Sequence, residues 1–162
     1  MPHRISPDFC VRRQVPAFNR GNHLMHELYN KANDLAGVVI AAAVEVQKHF
    51  GIGIMESVYV KCLARELALR GHATKAEVPV SIQYKGFAFQ ERLRVDLLVD
   101  DCLVVEAKAI DVKEADMPLY RAQTLSYLRL LNLPLGLVIN FHEQRLGARG
   151  VARVILKGAA DA

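Results

Sequence analysis

Residues 95–108 have the sequence VDLLVDDCLVVEAK, in which two apolar runs flank a pair of aspartates, Asp100 and Asp101. The apolar runs predict two strands of one hairpin, and the aspartates predict the turn between them. Two carboxylates, Asp96 and Glu106, interrupt the apolar runs. Burying a carboxylate in such a strand is costly unless it is paired or binds a cation. Asp96 and Glu106 are therefore candidates for a functional site.

The length of the turn decides whether these two carboxylates meet. A two-residue turn would place Asp96 opposite Val105 and would point Glu106 to the other face of the sheet. A three-residue loop centred on Asp101 would place Asp96 opposite Glu106 on the same face. We predict the three-residue loop, because no glycine supports a tight two-residue turn and aspartate tolerates the left-handed conformation that three-residue loops use.

Lys108 follows Glu106 by two residues, so both side chains leave the same face of the strand. Two opposed carboxylates repel each other, and one lysine offsets only one of them. A hard divalent cation would offset both, with a backbone carbonyl and waters completing its oxygen coordination. Such an ion activates water and stabilises charge on a phosphoryl group, while the ammonium orients the nucleophile or the phosphate. The alternative is that Asp96 lies at an exposed strand edge and that Glu106 and Lys108 form a surface ion pair.

The sequence on either side of this hairpin predicts an α/β fold. The predicted helices cover residues 35–50 (after caps at Asn33 and Asp34), 54–70 and 117–132 (with Asp116 as N-cap), and the predicted strands cover residues 76–84, 87–99, 102–109, 135–141 and 151–156. Residues 23–32 fit either a helix or an irregular segment. Helices and strands alternate only in part, so we expect an α+β mixed sheet with helices packed against it and not a doubly wound sheet.

The basic residues are concentrated near the N-terminus. Residues 1–22 hold four arginines and one aspartate, which is +3 of the net charge of +4, so residues 23–162 carry +1. We expect residues 1–22 to form a flexible basic arm that either contacts phosphate or stays solvated. Residues 23–162 are enough for a single domain.

The cysteines and the apolar runs favour a cytoplasmic protein. Three widely spaced cysteines, Cys10, Cys62 and Cys102, form no CxxC pair, which disfavours a disulfide framework or a zinc knuckle. The longest apolar stretch covers residues 35–44, whereas a membrane-spanning helix needs about 20 residues. The N-terminus also lacks the apolar centre of a signal peptide. We therefore expect no membrane insertion.

Two motifs resemble those of a known family. Residues 95–96 (VD), followed by residues 106–108 (EAK), resemble the D…ExK signature of the PD-(D/E)XK nuclease superfamily, with a valine in place of its proline. Residues 53–59 (GIMESVY) look like the motif of the GxxExxY protein family, which is grouped within that superfamily. The resemblance covers residues 27–156. It implies a restriction-endonuclease-like αβββαβ core with an extra N-terminal helix.

The resemblance also implies a catalytic metal centre that uses Mg²⁺ or Mn²⁺. Its ligands would be Asp96, Glu106, the carbonyl of Ala107 and, directly or through water, Glu56. Lys108 would be the residue that orients the attacking water. The alternative for Glu56 is an ordinary carboxylate at a helix start, where the helix dipole favours it.

Residues 123–127 (QTLSY) look like the QxxxY element of exonuclease-like members. Gln123 and Tyr127 would share a helix face that approaches substrate phosphate, and Arg121 and Tyr59 are further candidates for substrate binding. Each has a structural alternative. Tyr59 would be a core aromatic, Gln123 and Tyr127 a boundary pair, and Arg121 a solvated helix charge.

The leading hypothesis is a metal-dependent nuclease that hydrolyses nucleic-acid phosphodiester bonds, with DNA favoured over RNA. The second hypothesis is a non-catalytic nucleic-acid-binding or accessory protein with the same fold, which the nearly neutral body favours. The third is a structural protein with an ion pair in its sheet. A homodimer, in which two sites face one duplex, stays open.

Overall fold

The structure, a computed structural model, describes residues 21–89, 93–111, 117–147 and 150–160. In these ranges the chain forms, in order, α1 (Gly21–Phe50), α2 (Glu56–Leu69), β1 (Thr74–Pro79), β2 (Ile82–Tyr84), β3 (Phe87–Phe89), β4 (Arg94–Val99), β5 (Leu103–Lys108), α3 (Met117–Leu131), β6 (Leu135–Asn140) and β7 (Val151–Ile155).

Two of the predictions concern residues beyond these ranges. The arm predicted over residues 1–22 lies outside them except for the first two residues of α1, and the N-cap predicted at Asp116 lies outside them as well. The division of the chain into an arm and a single domain therefore stays a prediction. In the part of the chain that the structure describes, no helix is both long and apolar enough to cross a membrane.

Five of the strands form one mixed sheet. Its order is β1-β4-β5-β6-β7, with β5 and β6 parallel and every other neighbouring pair antiparallel. Parallel neighbours need a crossover connection, and α3 lies in the segment that joins them. The succession α2, β1, β4, β5, α3, β6 matches the expected αβββαβ core, with α1 as the extra N-terminal helix. This confirms the predicted mixed sheet.

The loop between β4 and β5 has the predicted length. Leu97 pairs with Val105 and Val99 pairs with Leu103, which leaves three residues, 100–102, in the connection. Both aspartates of this loop adopt the left-handed conformation, with φ angles of 47° and 56°. The predicted register is therefore confirmed, and continuing it by one residue brings the positions of the two carboxylates opposite each other.

The helices cover both faces of the sheet. Val39 of α1 and Leu63 of α2 belong to the same apolar cluster as Val105 of β5. Leu128 of α3 belongs to the opposite cluster, together with Val104 of β5. Consecutive residues of β5 thus point to opposite faces, as the pleat of a strand requires. The central strand is buried on both sides.

α1 is longer than the sequence predicted. We expected the helix to begin after caps at residues 33–34, but it runs without interruption from Gly21. Leu28 and Ala32 pack in the same cluster as the later apolar residues of α1, so the buried stripe begins before the expected caps. Asn33 instead accepts a hydrogen bond from an arginine of β7.

The strands expected over residues 76–84 and 87–99 are each divided. β1 ends at Pro79, where the chain leaves the main sheet and forms the separate hairpin β2–β3. Pro79 has no amide hydrogen to donate to the ladder, and it pairs with Arg94, the first residue of β4, so the pairing of β1 with β4 ends at these two residues. The turn expected at residues 85–86 joins β2 to β3, and both residues have positive φ angles.

Gly136 provides a test of the packing between β6 and α3. A Cβ atom at Gly136 would lie 2.6 Å from Cγ2 of Thr124. Thr124 is fully buried and its hydroxyl donates to the carbonyl of Tyr120, so it has little freedom to move. We expect Gly136→Ala to lower the free energy of unfolding by about 1–3 kcal/mol, the usual cost of overpacking. Urea denaturation measures this change.

Gly37→Ala is the matched control. Gly37 lies on the exposed side of α1, and a Cβ atom there would meet no neighbouring atom within 4 Å. Alanine should therefore raise the free energy of unfolding by up to about 1 kcal/mol through its helix propensity. Equal effects of the two substitutions would contradict the close packing of Gly136.

Candidate active site

The predicted catalytic residues come together at the junction of α2, β4 and β5. Glu56 is the first residue of α2, Asp96 lies in β4, and Glu106 and Lys108 lie in β5. The charges of Lys108 and Asp96 act on Glu56, and the charges of Asp96 and Glu56 act on Glu106. Three carboxylates and one ammonium group thus share one electrostatic site.

Asp96 is half-buried and its side chain reaches across to β5. Its Oδ2 accepts a hydrogen bond of 2.8 Å from the backbone N–H of Ala107. Burial raises the pKa of Asp96, and the N–H of Ala107 and the charge of Lys108 only partly oppose that rise. The hydrogen bond fixes the carboxylate beside the central strand and leaves its second oxygen for another partner.

Glu106 is the most constrained of the three carboxylates. It is 3% exposed, its Oε1 accepts a hydrogen bond from Lys108, and its Oε2 is buried with no hydrogen-bond partner among the described residues. Burial, followed by the negative charge of Asp96, raises the pKa of Glu106 to about 7, although Lys108 opposes the rise. A buried carboxylate oxygen without a partner is costly, so this environment favours either a proton or a cation at Glu106.

Lys108 is the internal counter-ion of the site. Its Nζ donates to Oε1 of Glu106 at 2.8 Å and to the carbonyl oxygen of Ala107 at 2.9 Å. Burial lowers the pKa of Lys108, but the hydrogen bond and charge of Glu106 outweigh this, and the pKa lies above its usual value. The ammonium group therefore contacts two of the oxygens that the sequence assigned to a metal.

Glu56 approaches the same charges from the start of α2. Burial raises its pKa; Lys108 lowers it, and Asp96 raises it further. The backbone N–H of Ala109 lowers the pKa of Glu56, so the carboxylate lies near the end of β5. The half-buried position of Glu56 leaves it accessible as a further oxygen donor.

The oxygen donors fit a hard divalent cation with an open coordination sphere. In the described ranges, no three His, Cys, Asp or Glu side chains are arranged as a ready-made metal cage. The oxygen atoms available there are instead those of Asp96, those of Glu106, whose Oε2 has no partner among the described residues, and the carbonyl oxygen of Ala107. Mg²⁺ characteristically binds through one or two carboxylates and keeps several waters. The residues present therefore fit such an ion.

The structure separates the predicted substrate-binding residues into three environments. Nε2 of Gln123 donates to the hydroxyl of Tyr127 at 3.0 Å, so these two form a pair on α3, as their spacing predicted. Arg121 is exposed on the same helix. Tyr59 is fully buried, its ring stacks on Phe141 with 4.4 Å between centroids, and its hydroxyl donates to the carbonyl of Gly51. These contacts give Tyr59 a core role and lend no support to substrate binding.

Two residues near the site were not found from the sequence. Nζ of Lys108 lies 5.3 Å from the ring centroid of Tyr120 on α3, within the range of a cation–π contact. Asn140 is buried at the end of β6, pairs with Lys108 in the ladder, and donates from Nδ2 to the carbonyl of Ile110. The sequence feature that could have indicated Asn140 is its place as the polar residue directly after the apolar run 135–139. Nothing in the sequence distinguished Tyr120.

A separate groove of about 660 Å³ lies between the end of α1 and the middle of α2. Its lining includes His49, Lys61 and Arg65 and includes none of the clustered carboxylates. This groove is therefore separate from the candidate site.

The raised pKa of Glu106 predicts a pH-dependent stability. Folding favours the protonated form, so its contribution is complete below the ordinary value of 4.5 and is lost as pH rises through about 7. Glu106→Gln keeps a neutral side chain at every pH. We expect the variant to gain stability relative to the parent, by up to about 3 kcal/mol, between about pH 4 and pH 8 in metal-free buffer. Denaturant unfolding at several pH values measures the difference, and a difference that does not change with pH would contradict the proposed burial.

The sequence model of the PD-(D/E)XK nuclease superfamily matches residues 33–154, which is more than half of the 162 residues. Comparisons with curated proteins and with solved structures gave no match. The matched range contains all the charged residues of the site described above. Nucleases of this superfamily act on nucleic acids and generally use divalent metals. The chain belongs to the PD-(D/E)XK nuclease superfamily.

Proposed function

We propose that the protein is a metal-dependent nuclease that hydrolyses DNA phosphodiester bonds with Mg²⁺ or Mn²⁺. The observation that carries this proposal is the register of β4 and β5, which brings Asp96 to the side of Glu106, while Oε2 of Glu106 has no hydrogen-bond partner in the part of the chain that the structure describes. A protein that only binds nucleic acid has little need of opposed carboxylates near a phosphate, because they repel it.

Asp96, Glu106 and the carbonyl of Ala107 would hold the ion, with Glu56 as a further donor. The ion supplies an activated water and stabilises the charge that develops on the phosphoryl group. Asp96 is oriented by the N–H of Ala107, and Glu106 is oriented by Lys108. Hydrogen bonds thus orient both proposed carboxylate ligands, and such orientation is a requirement of a precise catalytic geometry.

Lys108 has two roles in this proposal. Without a metal it neutralises Glu106 and occupies the carbonyl of Ala107. With a cation bound to those oxygens, the ammonium group of Lys108 would be free to orient the attacking water or the scissile phosphate. The ring of Tyr120 lies near the ammonium group of Lys108 and stabilises its positive charge.

Gln123 and Tyr127 are proposed to face the substrate from α3. Their mutual hydrogen bond presents one polar pair on the helix, and exposed Arg121 lies two residues before Gln123. We also propose that the chain is a member of the GxxExxY family within the superfamily, on the motif at residues 53–59. Glu56 of that motif lies in the charged site, and Tyr59 stabilises the preceding turn through Gly51.

A second candidate is a non-catalytic nucleic-acid-binding protein that keeps the fold. The near-neutral charge of residues 23–162 favours it, because nucleic-acid affinity depends strongly on neutralising phosphates with lysine and arginine. In this case the ammonium of Lys108 would remain the permanent counter-ion of Glu106. The two candidates differ in whether metal addition produces cleavage.

Cleavage assays on single- and double-stranded DNA and RNA with Mg²⁺ or Mn²⁺ test the proposal. We expect the parent to cleave DNA, and we expect Glu106→Ala and Lys108→Ala each to lower the rate by about 100-fold or more. The matched control is the exposed pair Glu45 and Lys48, which forms a 2.9 Å ion pair on α1. Glu45→Ala and Lys48→Ala should cleave as the parent does. Cleavage that survives both site substitutions would place the reaction elsewhere.

Thermal unfolding with Mn²⁺ tests metal binding without relying on activity. Saturating ion should stabilise the parent by about 3 kcal/mol at a concentration 100-fold above the dissociation constant. Glu106→Gln should lose this stabilisation. Lys108→Met should keep the stabilisation by Mn²⁺ at alkaline pH. The substitution removes the ammonium group that competes with the ion for Glu106, and it leaves the carboxylates in place. Binding without cleavage in the parent would support the second candidate.

A further inference from the structure

The hairpin β2–β3 carries an aromatic face that is largely exposed among the described residues. Its register pairs Ile82 with Phe89 and Tyr84 with Phe87, which places all four side chains on one side of the two-stranded sheet. Tyr84 and Phe87 are 62% and 65% exposed, and Phe89 is 38% exposed. None of the four belongs to either core cluster. We call this set, Ile82, Tyr84, Phe87 and Phe89, the aromatic face.

The chemistry of the aromatic face suits unpaired nucleobases. Phe87 and Phe89 contact each other edge to face, with centroids 5.0 Å apart, so this contact does not cover both sides of either ring. Nζ of Lys85 lies 5.4 Å from the ring centroid of Tyr84 at the turn. Lys85 is the one charged residue in residues 81–89, so the hairpin is positive and presents no acid to repel phosphate.

The position of the hairpin connects it to the candidate active site. At the end of the hairpin that is next to β1 and β4, the N–H of Val80 donates a hydrogen bond of 2.8 Å to the carbonyl of Leu93. Leu93 precedes Asp96 by three residues, which is about 10 Å along an extended strand. A polynucleotide bound along the hairpin would therefore lie within a few nucleotides of the carboxylates.

We propose that the aromatic face binds single-stranded nucleic acid by stacking unpaired bases on Tyr84 and Phe87, with Lys85 contacting the adjacent phosphate. This inference rests on the proposed nuclease function and names its substrate class. In a duplex each base is already stacked and paired, so exposed rings gain affinity only from unpaired bases. The substrate is accordingly a single strand or the unpaired end of a duplex.

A tryptophan reporter tests the contact directly. The chain contains no tryptophan, so Phe87→Trp introduces a single tryptophan, whose emission can be excited apart from that of the five tyrosines, and keeps an aromatic ring at this position. A short single-stranded oligonucleotide, added in metal-free buffer, should quench this fluorescence more strongly than the same sequence as a blunt duplex. Leu69→Trp is the control, because Leu69 is also 65% exposed but lies at the end of α2. Equal quenching at the two positions would overturn the proposal.

Affinity measurements supply the second test. Tyr84→Thr with Phe87→Thr removes both rings and keeps residues that favour strands. We expect this double variant to bind the single strand about 10-fold or more weakly, with little change for the blunt duplex. Leu69→Ala should bind as the parent does. Unchanged single-strand affinity in the double variant would overturn the proposal, and loss of self-association in the same variant would identify a protein contact instead.

The outcomes separate this inference from the nuclease assignment. Cleavage that depends on Glu106 but not on the aromatic rings would overturn the hairpin proposal alone. Single-strand binding through the rings, with no cleavage under any metal condition, would overturn the nuclease assignment and leave the hairpin proposal standing.

Discussion

The fold is organised around a carboxylate in its central strand. Glu106 lies in β5, between β4 and β6, where it is 3% exposed and where one of its oxygens has no described partner. An apolar residue would fill this position with less cost, because desolvating a carboxylate opposes folding. The nearby Lys108 offsets only part of that cost. A buried residue that lowers the stability of the fold, as Glu106 does, is characteristic of a functional site.

The topology explains why the charges converge where they do. The parallel pairing of β5 with β6 sets Lys108 beside Asn140, while the antiparallel pairing of β4 brings Asp96 from the other side. α2 begins at Glu56, so its first turn points a carboxylate at the same place. The charged residues come from three elements, β4, β5 and α2, so the site exists only when the sheet and α2 have assembled. Its geometry is thus a property of the tertiary structure.

The sequence predicted those parts of the site that depend on local geometry. Asp96, Glu106 and Lys108 could be placed on one face because strand alternation and turn length are local rules, and the missing glycine selected the register. The early start of α1 and the division of β1 from β2 depended on where distant elements offered burial or a pairing partner. Tyr120 could not be found for the same reason, since its contact with Lys108 joins two elements through the tertiary fold.

The charge distribution constrains how such a protein holds its substrate. Residues 23–162 carry +1, so long-range attraction to a polyanion is weak outside the basic N-terminal segment. Within these residues, the candidate site concentrates three carboxylates, and their negative charges repel phosphate. Affinity must then come from contacts that do not depend on net charge, and stacking on exposed rings is such a contact. A neutral body and an exposed aromatic hairpin are for this reason complementary features, and together they support the proposed binding of unpaired strands.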